Sequence, residues 1–132
     1  MTEIPLISIV DDDDLSRAAM GDLVRSLGYS ARTFASAGSF LQSTAVAETR
    51  CLILDVQMPE MSGIDLQDHL SQRGIDIPTI FITAYPDEAT KARALNAGAI
   101  CFLHKPLDLQ GPRLVDCIYA ALNGRKGAAP AV

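Results

Sequence analysis

The sequence has no apolar run approaching the roughly 18 residues that span a bilayer, and residues 1–5 have neither the basic start nor the apolar stretch of a secretion signal. A cytoplasmic protein with no membrane partner is expected. It also lacks a basic excess: 11 Lys and Arg face 16 Asp and Glu, a net charge of -5. Direct nucleic-acid contact, which relies on a basic surface to displace counterions, is therefore disfavoured. Cysteine is scarce, with only Cys51, Cys101 and Cys117 and no Cys-x-x-Cys pair or His/Cys cluster of the kind that holds zinc. All three lie in apolar segments and are expected to be buried, reduced thiols packing as small hydrophobes.

What is present describes one soluble globular unit. A chain of 132 residues fills one ordinary domain, and 48% apolar with 20% charged residues excludes the disordered and collagen-like classes. Short apolar runs at residues 6–10, 30–34, 51–54, 79–83 and 100–103 read as strands covered on both faces, the second being the weakest. Helical stretches separate them. Leu15, Ala18, Ala19, Leu23 and Leu27 share a helical face ahead of Gly28, and Ser36 caps a shorter helix through Phe40, Leu41 and Ala45. Ser62-Gly63 leads into a helix burying Ile64, Leu66 or Leu70. Pro86 suits the first turn of a helix carrying Ala89, Ala92, Leu95 and Ala97, and a fifth carries Leu114, Val115, Ile118, Ala121 and Leu122.

Five alternating strand and helix units imply an α/β domain with a five-stranded parallel sheet and five helices on its two faces. Right-handed crossovers favour the flavodoxin-like order 2-1-3-4-5, in which the site lies at the carboxyl ends of the strands. The residues just past the strands are Asp11 to Asp14, Asp55, Thr83-Ala84 and His104-Lys105-Pro106. Every chemically pointed feature falls on one edge.

Three clustered carboxylates, Asp11, Asp12 and Asp55, repel one another and raise at least one pKa unless a cation joins them. A hard divalent ion answers that need, and magnesium accepts one or two carboxylates while keeping sites for water and a phosphate oxygen. Lys105 offers a compact positive charge and Thr83 a hydroxyl donor, so the two can receive a new dianion. An ionised Asp55 can act as nucleophile in phosphoryl transfer without a general base, giving an acyl phosphate. Asp13 and Asp14 fit a plain helix N-terminus, where carboxylates are favourable anyway. An EF-hand is excluded because no starting aspartate places Gly at position six and Glu at position twelve.

These residues resemble the receiver family of two-component signalling. Ile9-Val10-Asp11-Asp12, the run Leu54-Asp55-Val56-Gln57-Met58-Pro59-Glu60-Met61-Ser62-Gly63, Ile82-Thr83-Ala84, Ala97-Gly98-Ala99 and Lys105-Pro106 stand in the family's order and approximate spacing, covering about residues 5–123. The resemblance implies a CheY-like fold, with Asp55 as phosphoacceptor. It implies magnesium held by Asp12, Asp55 and the backbone carbonyl of Gln57, with Asp11 assisting through water. Thr83 and Lys105 would bind phosphoryl oxygens, and Phe102 would be the aromatic switch residue, against the plainer reading of core packing. It also implies a cis peptide before Pro106, a sensor histidine kinase as donor, and an output face formed by the fourth helix, fifth strand and fifth helix that controls dimerisation or an effector.

The Met-Pro-x-Met-Ser-Gly and Ala-Gly-Ala-x-x-Phe-Leu-x-Lys-Pro runs are most similar to the FixJ-type branch, whose members commonly continue into a LuxR-type DNA-binding domain. Residues 1–123 then form the receiver domain, and 124–132 a flexible tail or the start of an interdomain linker. Gln57 and Tyr85 stand at positions that tune dephosphorylation in the family, and His104 reads as a surface histidine. Three rival readings fit the residues less well. A haloacid dehalogenase-type phosphatase wants a second acid two residues after the nucleophile, where this chain has Gln57. An FMN-binding protein would not place four aspartates where phosphate must sit. A degenerate receiver acting only as a binding module would lack a pocket residue, and none is missing.

Overall fold

The computed structural model describes residues 4–85, 87–105 and 112–123. Five strands form one parallel sheet: β1 (Leu6–Val10), β2 (Ser30–Phe34), β3 (Thr49–Asp55), β4 (Thr79–Thr83) and β5 (Cys101–His104). Their order is β2-β1-β3-β4-β5, as expected. The strand limits follow the apolar runs closely because β1, β3 and β4 are covered on both faces, so almost every side chain in them is buried. Edge strand β2 has only half-buried and exposed positions, which is why its signal is weak.

Strand periodicity divides the core in two. Ile7, Ile9, Cys51, Ile53, Ile80, Ile82, Cys101 and Leu103 face one side, against Met20 and Val24 of α1 (Asp14–Ser26) and Leu114, Ile118 and Ala121 of α6 (Pro112–Leu122). Val10, Leu52, Leu54 and Phe81 face the other. There they meet Ala37 and Phe40 of α2 (Ala37–Leu41), Ala45 of α3 (Ala45–Glu48), Ile64, Leu66 and Leu70 of α4 (Gly63–Gln72) and Ala94 of α5 (Glu88–Asn96). A buried polar pair in the second layer satisfies itself: the hydroxyls of Ser8 and Thr49 lie 2.6 Å apart, and Thr49 donates to the Ala45 carbonyl.

Several expectations are corrected. There are six helices among the described residues, because the stretch after Ser36 breaks into α2 and α3 where the Ser43 hydroxyl turns back onto the Phe40 carbonyl and also accepts from Ala45 N. The buried stripe of α1 is Met20, Gly21 and Val24, whereas Leu15 is 83% exposed and Ala18 is exposed. Gly21 lets that stripe settle close to β2, since a Cβ there would come within 3.3 Å of the Thr33 methyl. On α5 only Ala94 is buried, while Ala89, Ala92, Leu95 and Ala97 are exposed; alanine is a strong helix former whether or not it is buried, so its spacing misreports the inward face.

The cysteine expectation is overturned for two of the three. Cys101 on β5 and Cys117 on α6 form a disulfide, and only Cys51 is a free, buried thiol, its pKa pushed up to about 12 by burial. Nothing in their spacing signals the bond, because it arises where β5 and α6 pack in the same core layer. Pro86, the peptide before Pro106 and the tail 124–132 lie outside the described residues.

Candidate phosphoacceptor site

The carboxyl ends of the strands hold the site residues through ladder hydrogen bonds that continue just past the strands. Asp11 N donates to Phe34 O at 3.1 Å, Val56 N to Ile82 O at 2.8 Å, and Lys105 N to Thr83 O at 2.7 Å. Asp11, Asp55, Thr83 and Lys105 are thus placed by sheet backbone rather than by free loops. Gly63 tightens the arrangement. Its N–H donates to Val56 O, and its α-carbon lies so close to the Asp55 carbonyl that any Cβ would collide with that oxygen. The first turn of α4, capped by Ser62 through Asp65 N, is pressed against the strand end that carries Asp55.

Asp11 is fully buried and Asp55 nearly so, at 4% exposed, while Asp12 faces solvent. One carboxylate oxygen from each lies within 4.8 Å of the others. Lys105 Nζ stands between the two buried acids, 3.1 Å from Asp55 Oδ2 and 3.1 Å from Asp11 Oδ2. Burial is the largest influence on Asp55 and raises its pKa to about 6; Lys105 pulls it down and Asp11 pushes it further up. Burial alone would lower the Lys105 pKa, but its hydrogen bonds to Asp11 and Asp55 and their charges together hold it above the ordinary lysine value. With all three acids ionised, one ammonium against three carboxylates leaves two uncompensated negative charges among oxygen donors. That donor set and charge fit a hard divalent cation.

The remaining acidic residues have local roles. Asp13 caps α1, accepting from Leu15 N and the Ser16 hydroxyl, and Asp14 pairs with Arg17. Arg17, which sequence reasoning passed over, also donates to the Asp11 backbone carbonyl at 2.8 Å and so braces the acidic loop. Its position one turn into the helix after an Asp cluster was the available signal. Asp55 Oδ1 accepts from Gln57 N at 3.2 Å, and Asp11 Oδ1 from Asp13 N at 2.8 Å, so each buried acid also organises the loop that follows it.

Thr83 is buried at the end of β4, and its hydroxyl donates to the Gln57 side-chain carbonyl while accepting from Tyr85 N at 3.0 Å. Phe102 is half-buried on β5, opposite Phe81 in the ladder and packed against the layer containing Leu54 and Phe81. It lies on the same sheet edge region as Thr83 but not within the carboxylate cluster. His104 is exposed, as expected of a surface histidine.

Comparison with known proteins identifies a family over most of the chain. The model of the response regulator receiver domain matches residues 7–117. This chain belongs to that family. Relatives of similar sequence include the response regulator protein TodT of Pseudomonas putida, 44% identical over 118 residues, which are 89% of this chain and 51% of TodT. The transcriptional regulatory protein FixJ of Azorhizobium caulinodans is 33% identical over 108 residues, 82% of this chain and 51% of FixJ. The solved structure of the response regulator StyR superposes with a TM-score of 0.83 at 41% identity, over 92% of this chain and 60% of StyR. The receiver chain therefore spans about half the length of the curated relatives it matches. The likeness to the FixJ branch noted in the sequence holds, and relatives of this receiver are transcriptional regulators in name. No helix among its described residues is long and apolar enough to cross a membrane.

Proposed function

We propose that this chain is a phosphorylation switch in which Asp55 accepts a phosphoryl group from the phosphohistidine of a sensor kinase, with residues 1–123 as the receiver unit and 124–132 as a tail or linker. One observation carries the reading: a nearly buried carboxylate at a strand end, flanked by two further carboxylates and held by a lysine 3.1 Å away. A magnesium ion held by Asp12, Asp55 and the Gln57 backbone carbonyl, with Asp11 acting through water, would supply charge neutralisation for the phosphoryl oxygens.

The chain's own groups do the rest. With a pKa of about 6, Asp55 is mostly ionised at neutral pH and needs no general base. As its oxygen bonds to phosphorus, the bond from phosphorus to the donor imidazole breaks and the imidazole leaves with the electron pair. Lys105 moves from a carboxylate partner to the new phosphoryl oxygens, and Thr83 turns its hydroxyl to another. The same groups favour later hydrolysis, so the protein assists its own phosphorylation and dephosphorylation without being a dedicated enzyme.

The readout passes from Thr83 through Phe102 to the face formed by α5, β5 and α6. Leu95 on α5 and Tyr119 on α6 are exposed at 45% and 47%, leaving apolar surface there for a second copy or an effector. Moving such a switch from 1:99 to 99:1 takes about 5.5 kcal/mol of differential stabilisation. In the cytoplasm, and joined to a DNA-binding domain as the longer relatives suggest, this face would control transcription without direct nucleic-acid contact by the receiver. The test is to incubate the protein with magnesium and a small acyl phosphate and measure intact mass. A single added phosphoryl group is expected on the wild type and none on Asp55→Asn. An unmodified wild type with several donors, or a modified Asp55→Asn, would overturn the assignment.

A further inference from the structure

We infer that the side chain of Gln57 is a latch on Thr83 that opposes the switch, a positioning role distinct from any contact it makes with the phosphoryl group. The inference rests on the receiver reading and deepens it. A threonine hydroxyl carries one proton. Here that proton is already committed: Thr83 Oγ1 donates to Gln57 Oε1 and receives from Tyr85 N at 3.0 Å. A phosphoryl oxygen on Asp55 can take the Thr83 proton only after Gln57 releases it. Glutamine and phosphoryl therefore compete for a single donor.

The geometry makes Gln57 a fitting competitor. Its backbone N–H is tied to Asp55 Oδ1 at 3.2 Å, so its side chain starts from the loop that carries the acceptor and reaches across to the end of β4. The bond joins two strand ends, β3 and β4, that phosphorylation is proposed to rearrange. Gln57 is exposed whereas Thr83 is buried. When the latch opens, the amide is rehydrated at little cost, and Thr83 exchanges a neutral acceptor for a charged one of roughly twice the strength. The latch is thus a modest bias toward the unphosphorylated arrangement, strong enough to set the balance and weak enough for a phosphoryl group to overcome.

The bias is measurable at equilibrium with magnesium and beryllofluoride, a phosphoryl analogue that is not hydrolysed, so that altered dephosphorylation does not enter. Binding would be titrated by fluorine NMR for wild type, Gln57→Met, Thr83→Val and the double variant. Gln57→Met keeps the length of the side chain and the backbone carbonyl but removes the acceptor, and the exposed position leaves the core intact. The latch predicts that Gln57→Met tightens beryllofluoride binding about three- to tenfold when Thr83 is present, the worth of one ordinary hydrogen bond, and leaves it unchanged in the Thr83→Val background. An equal effect in both backgrounds would place the influence of Gln57 elsewhere and overturn the latch alone. Weaker binding by Gln57→Met would overturn it as well. Failure of the wild type to bind beryllofluoride, together with failure to take up a phosphoryl group, would remove the receiver reading and the latch with it.

Discussion

Lys105 Nζ lies 3.1 Å from Asp55 Oδ2 and the same distance from Asp11 Oδ2, so one ammonium holds together two buried acids that come from opposite sides of the central strand junction. Removing it strands both. Lys105→Met should lower stability at pH 7 without divalent ions by about 3 kcal/mol, the usual cost of leaving a buried charge without its partner. Because lysine competes with a metal for the same oxygens, the variant should bind magnesium more tightly and recover part of the lost stability when magnesium is added. Urea unfolding with and without magnesium reads both effects; a variant as stable as the wild type would show that the lysine bonds are incidental.

Asp55 gives a pH dependence whose sign follows from its environment. Its pKa rises from 3.8 to about 6 on folding, so between those values the folded state holds more of the proton than the unfolded one. Stability from this group is present below pH 3.8, is lost as pH rises through about 6, and above that the buried charge is a net burden. Asp55→Asn should therefore be more stable than the wild type at pH 7 by about 1 to 3 kcal/mol, with the difference vanishing toward pH 4. The comparison with the variant is essential because Asp13 and Asp87, held below the usual carboxylate range by their capping hydrogen bonds, act in the opposite direction. A constant difference across pH would contradict the raised pKa.

The same value governs the metal. A proton on Asp55 excludes a cation from it, so magnesium affinity measured by calorimetry should be nearly flat above pH 7 and fall toward tenfold per pH unit below about 6. Asp12→Asn should weaken magnesium at every pH while leaving stability in its absence almost unchanged, since Asp12 is exposed. Loss of metal binding without that pH dependence would point to ligands other than Asp55.

Gly63 links the fold to the chemistry. A Cβ there would meet the Asp55 carbonyl oxygen at a separation that real side chains do not tolerate, and that oxygen, being backbone, cannot swing aside as a flexible side chain could. Gly63→Ala should cost about 1 to 3 kcal/mol, as overpacking does, and should slow phosphoryl uptake because relief requires the Asp55 strand end or the first turn of α4 to shift. Gly28→Ala is the useful contrast: its φ is +94° but nothing crowds it, so it should lose stability without altering uptake. Equal uptake by Gly63→Ala and wild type would separate this contact from the site.

What the sequence disclosed, and what it withheld, follows physical lines. Strands buried on both faces announce themselves as continuous apolar runs, and the topology rule then gathers Asp11, Asp12, Asp55, Thr83 and Lys105 on one edge, where the structure has them. Helix faces were harder. Leu15 looked like core but lies in the first turn of α1 beside the acidic loop, and the alanines of α5 pack no core apart from Ala94. The Gln57–Thr83 bond was out of reach because it depends on where one flexible side chain settles between two loops 26 residues apart. The disulfide shares that character, being a contact made by tertiary packing with no local periodicity to reveal it.

The disulfide supplies the final prediction. Cys101 and Cys117 are 16 residues apart in sequence, and closing a loop of that size restrains the unfolded chain enough to contribute about 3 kcal/mol. The bond ties β5, which carries Phe102, to α6, so it should be felt globally rather than at one end of the sheet. Reductant, or Cys117→Ser, should lower the urea midpoint and increase the steepness of unfolding, because an uncrosslinked chain exposes more surface when it opens. Cys51 provides the control: its thiol is free, wholly buried and pushed up to about 12, so Cys51→Ser should leave the response to reductant intact. Alkylation of denatured protein counts the thiols directly, with one label expected before reduction and three after it. Three labels without reductant, or a midpoint indifferent to it, would return Cys101 and Cys117 to the reduced state that their sequence context suggested.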